Sequence, residues 1–345
     1  MDPLALQVVI ESTLKVGLVL GVIMTVVAYM EWVERRVSAW IQDRRGPNRV
    51  GPFGLLQPLA DGIKFLFKED ILPPHVHRAL YLLAPGIIFT TSLVTFSVIP
   101  FGPPIEIFGR QVRLQVADVD SGILIILAIS SLGVYGIALA GWSSNNKYSL
   151  LGGLRSSAQL ISYELAMGFS VVGVLMSAGS LRLSEIVDFQ VRHGWNLLWQ
   201  LPGFIVFMTA AFAETNRLPF DLPEAETELV AGYHTEYSGF RFLLFLMAEY
   251  ANMITASGLA VTLFLGGYHV PGLHLLGLPP LASALVQVGA FCLKVAFILF
   301  VYVWVRWTLP RFRYDQLMNL GWKVLLPIAL ANILWVAFFV LRGWA

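Results

Sequence analysis

Long apolar runs recur along the whole chain, and nothing else in it limits the fold so strongly. One of them is "GLVLGVIMTVVAYM", residues 17–30. A hydrocarbon core about 30 Å thick takes roughly 20 residues of helix to cross. Within it every backbone N–H and C=O must be satisfied inside the protein, which helices do unaided. Eight stretches approach that length, near 8–32, 79–100, 120–141, 157–178, 197–213, 241–266, 283–305 and 323–342, the fifth being the shortest. Composition agrees, with 57% hydrophobic and only 13% charged residues. The expected fold class is all-α: a polytopic membrane protein with about eight transmembrane helices, residues 1–345 forming a single integral membrane unit. The amino terminus, "MDPLALQVVIESTLKVGL", lacks a basic leader and a small-residue cleavage site, so it reads as a retained first helix.

The few charges carry the remaining information. A net charge of +1 from 23 basic and 22 acidic residues leaves no basic face for nucleic acid. Cys292 is the only cysteine, which rules out a disulfide within the chain and any cysteine-ligated iron–sulfur or zinc site, so a redox centre must come from a partner or a ligand. Sixteen Lys and Arg fall in the odd-numbered connections and four in the even ones. Basic segments resist translocation, so the odd connections are expected in the cytoplasm and both termini on the periplasmic side of a bacterial inner membrane.

The first connection, residues 34–78, is too long for a plain turn. "RRGPNRVGPFG" is rich in breakers. In the following "LLQPLADGIKFLFKED", Leu55, Leu59, Ile63, Leu66 and Phe67 recur at helical spacing with Asp61, Lys64 and Lys68 between them. An amphipathic helix is expected, lying in the membrane interface or packed on the protein's own spans.

Ionisable groups in spans are costly and usually face a bundle interior or a water-filled cavity. Glu164 lies in the fourth span, Glu249 in the sixth and Lys294 in the seventh; Glu214 closes the fifth, and Glu31 and Glu34 close the first. Tyr163 and Tyr250 adjoin two of these acids and offer proton-sharing partners, which favours a relay for Glu164 and Glu249; Lys294 reads equally well as a structural group. The stretch "ETNRLPFDLPEAETELV" (214–230) concentrates Glu214, Asp221, Glu224, Glu226 and Glu228. Pro219 and Pro223 bar a regular helix there, while "EAETELV" sets Glu224 and Glu228 on one helical face with Glu226 displaced. A solvated loop would mix Lys and Ser among such acids; only Arg217 offsets them, so residues 214–240 are expected to form an acidic loop folded into the protein. His75 and His77 have no evident third ligand, so no metal is assigned. "LLGGLRSS" lacks the lysine of a phosphate loop.

Four long motifs, "GPNRVGPFGLLQPLADGIKFLFKED", "GWSSNNKYSLLGGLRSSAQLISYE", "AETNRLPFDLPEAETELVAGYHTEYS" and "RYDQLMNLGWK", closely resemble the H-type membrane subunit of respiratory complex I, the proton-pumping NADH:quinone oxidoreductase. The resemblance runs in order along nearly the whole chain. It implies a component, inactive alone, at the joint with the peripheral arm, where it forms much of the chamber in which quinone (ubiquinone or menaquinone) is reduced. It implies that FMN and iron–sulfur clusters belong to partner subunits only. The implied neighbours are peripheral-arm quinone-site subunits, small membrane subunits, antiporter-like subunits and the lipid bilayer. Carried over by motif, Glu34, Arg35, Arg44, Asp61, Arg217, Asp221 and Glu224 would line the chamber, and Glu164, Glu214, Glu226, Glu228 and Glu249 would conduct protons from it. Some relatives carry a glutamate where this chain has Ser131 or Gly133, so that link would differ here. Two other readings stay open at this level: a membrane anchor of a hydrogenase-type complex, and a proton channel or transporter.

Overall fold

A computed structural model describes residues 3–107, 110–222 and 230–343. Glu224, Glu226 and Glu228 therefore lie outside the described residues. The elements are α1 (Pro3–Ile41), α2 (Gln57–Phe67), α3 (Arg78–Val94), a hairpin of β1 (Ile105–Ile107) and β2 (Arg110–Val112), α4 (Gly122–Ser143), α5 (Lys147–Ala178), α6 (Leu183–His193), α7 (Leu201–Glu214), α8 (Gly239–Phe264), α9 (Pro280–Thr308), α10 (Tyr314–Asn319) and α11 (Leu326–Leu341). A π-helical turn, Leu320–Leu325, runs α10 into α11.

Among the described residues seven helices are long and apolar enough to cross a membrane. The fifth expected span is realised as α7, only 14 residues. At 1.5 Å per residue it covers about 21 Å, short of the hydrocarbon thickness, because Pro202 starts it late and the Thr215–Pro219 segment ends it early. The first helix outruns its expected end at residue 32 and continues to Ile41, so Glu34, Arg35 and Arg36 stand on helix rather than loop.

The bundle is built around α5 and α8, the most enclosed spans. Small residues let the backbones approach: α8 buries Ala251, Ala256, Ser257, Gly258 and Ala260. At Gly152 of α5 an added Cβ would sit 2.8 Å from the Gly232 Cα, so only glycine lets the 230–238 segment rest there. The far end of α8 is capped by side chains. Gln190 donates to the Thr262 carbonyl, Asn196 to that of Leu263, and Lys294 to those of Leu265, Gly267 and His269 at 2.8–2.9 Å. These bonds satisfy carbonyls of the last turn and of the chain just beyond it, so Lys294 holds backbone in place, the structural alternative of its two readings.

In α2, Asp61 is buried, whereas Leu59, Ile63, Leu66 and Phe67 are exposed. These apolar residues thus point away from the bundle, which fits a helix at the membrane interface, while Asp61 turns inward beside Pro58, Gly62 and Phe65.

Candidate functional site

The connection after α7 is fixed by its breakers and by α5. Asn216 takes a left-handed conformation (φ 49°) that its side chain tolerates better than most. Gln159 of α5, fully buried, donates to the carbonyls of Ala213 at 2.8 Å and Phe220 at 2.9 Å, and Phe312 N–H bonds the Pro219 carbonyl at 3.1 Å. The segment so pinned drives Arg217 into the bundle, where it is 6% exposed.

There its guanidinium joins two helices. One nitrogen lies 3.1 Å from Glu34 Oε2 on α1 and another 3.3 Å from Glu249 Oε2 on α8. Tyr250, one residue beyond Glu249, donates its phenol proton to Glu34 Oε2 at 2.8 Å, and the Arg217 guanidinium stacks 4.4 Å from the centre of the Tyr250 ring. Arg306, on the last turn of α9, also pairs with Glu34. Arg311 pairs with Asp221 at 3.0 Å. At the rim, Arg35 binds Asp61 at 2.8 Å and also Glu31, while Gln57 donates to the second Asp61 oxygen at 3.0 Å. Five acids thus meet four arginines, and the buried charges among them, Glu34, Asp61, Arg217 and Asp221, are each paired.

Burial works against the Arg217 charge, but Glu249, Glu34 and Tyr250 outweigh it and hold its pKa well above the ordinary value. Asp221 is pushed the other way. Burial raises its carboxyl pKa, only partly opposed by Arg311 and Arg306. His234, in the buried turn further along, is drawn down to about 4 by burial.

Around these groups lies a cavity of about 230 Å³, lined among others by Glu31, Asp61, Arg217, Asp221, Glu249, Tyr250 and Arg306. Asn216 and Glu249 also line a second cavity of about 40 Å³, together with Glu164, Glu214 and Gly133. Glu214 and Asn252 then continue into a third of about 20 Å³. A buried water needs about 10–15 Å³, so each small cavity has room for at least one. Ser131 hydrogen-bonds Glu164, so the hydroxyl found where some relatives carry an acid engages the neighbouring carboxylate.

The fold brings Glu34, Arg35, Asp61, Arg217 and Asp221 to the first cavity or its wall, and Glu164, Glu214 and Glu249 to the second. Arg44 stands apart, exposed and bonded to Gln42. Reading the chain alone missed Arg306 and Arg311, which counted there only as topology signals. Their place at and just past a span end, level with the acids, was the available clue.

The family described as NADH dehydrogenase matches residues 14–337. Three curated relatives, each named as the H-type component of an NADH-quinone oxidoreductase, match almost end to end. That of Koribacter versatilis, numbered 2, is 54% identical, the match covering 95% of this chain and 96% of the relative. The first form from Geobacter metallireducens is 53% identical over 100% of this chain and 98% of its own. The Leptospira biflexa protein is 54% identical over 94% of each.

Proposed function

The chain belongs to the NADH dehydrogenase family, as the H-type component of an NADH-quinone oxidoreductase and one multi-pass membrane subunit of that enzyme, and on that premise we propose that it walls the quinone chamber and couples quinone reduction to proton movement. The observation that carries the reading is the sharing of Glu249 and Asn216 between the Arg217 cavity and the cavity of Glu164 and Glu214. The first cavity, at about 230 Å³, is smaller than the roughly 300–1,000 Å³ of a drug-sized pocket. It suits a ring-sized headgroup in a chamber that peripheral subunits complete.

Quinone takes two electrons and two protons to become quinol. The electrons come from an iron–sulfur cluster of a peripheral-arm partner, supplied in turn by that arm's FMN. This chain's residues manage charge. As electrons arrive, negative charge grows on the headgroup, or protons leave the groups facing it. Either event weakens or strengthens the hold of Arg217 on Glu249, because one guanidinium cannot satisfy a new anion and two carboxylates equally. Glu249 then exchanges a proton with Glu214 or Glu164 through the shared cavity, and antiporter-like and small membrane subunits take it onward. Of the acids outside the described residues, Glu224 serves the chamber and Glu226 and Glu228 the proton path. The excess of basic connections at the cluster's end of the bundle supports a cytoplasmic chamber and periplasmic termini in a bacterial inner membrane.

The test is Glu249→Gln in the assembled enzyme, in sealed inverted membrane vesicles. We expect strong loss of both NADH-driven quinone reduction and lumen acidification. Wild-type values for both would end the proposal.

A further inference from the structure

Thr255 of α8 is 5% exposed, and its hydroxyl has no hydrogen-bond partner among the described residues. A hydroxyl inside a helix commonly returns to the carbonyl three or four residues back, as those of Ser257 and Thr262 on the same helix do at 2.7 and 2.8 Å. Thr255 instead lines the third cavity, the one of about 20 Å³, beside Glu214, Asn252 and Ser130. Three other hydroxyls reach that cavity, from Thr95, Ser130 and Thr215. Each has a carbonyl of its own helix to donate to, at 2.9–3.2 Å. Only the Thr255 proton is left uncommitted among the four.

Glu249, Asn252 and Thr255 recur at intervals of three, on one face of α8. They meet the cavities in turn: Glu249 lines the first and second, Asn252 the second and third, and Thr255 the third. Beyond it the wall is closed by Ile126, Met167, Phe207 and Leu259. The polar face of α8 thus ends in a small pocket whose other side holds the Glu214 carboxyl.

We propose that this pocket is a water site, in which Thr255 and Asn252 hold one water molecule against Glu214. A buried water makes about three hydrogen bonds, and the Thr255 hydroxyl, the Asn252 amide and the Glu214 carboxylate supply that number. Fixed by the first two, the water directs a proton at Glu214 and stabilises the carboxylate once its own proton has passed toward Glu164 or Glu249. The water keeps both of its protons, so no bond breaks and no co-reactant is needed. Thr255 is therefore a positioning residue, and its effect on turnover rests on the coupling role given to Glu214 above.

Two measurements on the assembled enzyme test this. A cryo-electron-microscopy map fine enough to show ordered water should carry a peak within hydrogen-bond distance of both Thr255 Oγ1 and a Glu214 carboxylate oxygen. A dry pocket, or a water touching only one of them, overturns the proposal without any variant. Turnover is read in sealed membrane vesicles as NADH-driven quinone reduction with lumen acidification. Thr255→Val keeps the side chain's shape and removes the hydroxyl; kcat should fall about tenfold, the worth of one hydrogen bond to a charged group, with the KM for quinone unchanged. Thr255→Ser returns the hydroxyl and should restore most of the rate. A wild-type kcat in Thr255→Val, or a Thr255→Ser enzyme as slow as Thr255→Val, refutes the positioning role. If that happens while Glu214→Gln abolishes acidification, the coupling reading stands without Thr255. If Glu214→Gln leaves acidification at the wild-type level, the coupling reading fails and the positioning role falls with it.

Discussion

Removing Arg217 tests the central physical claim, that buried charges here persist only because they are paired. Arg217→Met keeps much of the side chain's length and deletes its charge. Glu34 retains Arg306 and Tyr250, but Glu249 loses the one cation bonded to it among the described residues, at 3.3 Å. In a medium of effective dielectric about 20, that attraction is worth ~5 kcal/mol. The net cost is smaller, because Glu249 can escape by taking a proton. For a carboxyl of ordinary pKa about 4.3, that discharge costs ~4 kcal/mol at pH 7, within the ~3–5 kcal/mol typical of breaking a buried pair. The single variant should therefore assemble poorly and inactivate faster on heating. Arg217→Met combined with Glu249→Gln should recover most of the loss, since neither charge is then left alone. The assay is the yield of assembled enzyme and the half-life of its NADH-quinone reductase activity at raised temperature. A double variant no more robust than the single one, or a single variant as robust as wild type, would refute the pairing argument.

Other expectations follow from the same geometry. Ser131→Ala removes the hydroxyl bonded to Glu164, a loss of ~1.5–3 kcal/mol if that carboxyl is charged; vesicle acidification per NADH oxidised should fall while assembly is kept. Lys294→Met orphans three carbonyls just past the end of α8 and should lower the yield of assembled enzyme, with the KM for quinone unchanged in what does assemble. Arg44→Ala should leave both rate and KM at wild type, as its side chain is exposed and away from the cavity. His234 has a folded pKa of about 4, below its reference of 6.5, so the unfolded chain binds the extra proton first. Its neutral form costs nothing above about pH 6.5, and stability is lost as pH falls from there toward 4, by up to ~3 kcal/mol. Heat inactivation measured across that range should steepen on acidification, and His234→Gln should flatten it.

The chain's own order of residues determined the membrane class and the places of nearly all the spans. Lipid acts on each helix separately, so every span must be apolar over its own length wherever its neighbours stand. The same constraint made Glu164, Glu249 and the acids after α7 conspicuous, and the prolines at 219 and 223 marked an irregular connection. Pairing was decided elsewhere. Glu34 meets Arg217 across 183 residues and Arg306 across 272, and no periodicity reports which faces of three distant helices converge. Nor could spacing separate Arg44, left at the surface, from Arg306, drawn to a buried carboxylate. That distinction depends on helix packing and on where a pinned loop turns inward, and only the assembled bundle supplies either. Residues 214–222 show both halves of the lesson: their acids and breakers are plain in the sequence, but it is Gln159 and Phe312, remote in the chain, that hold the segment so that Arg217 enters the core.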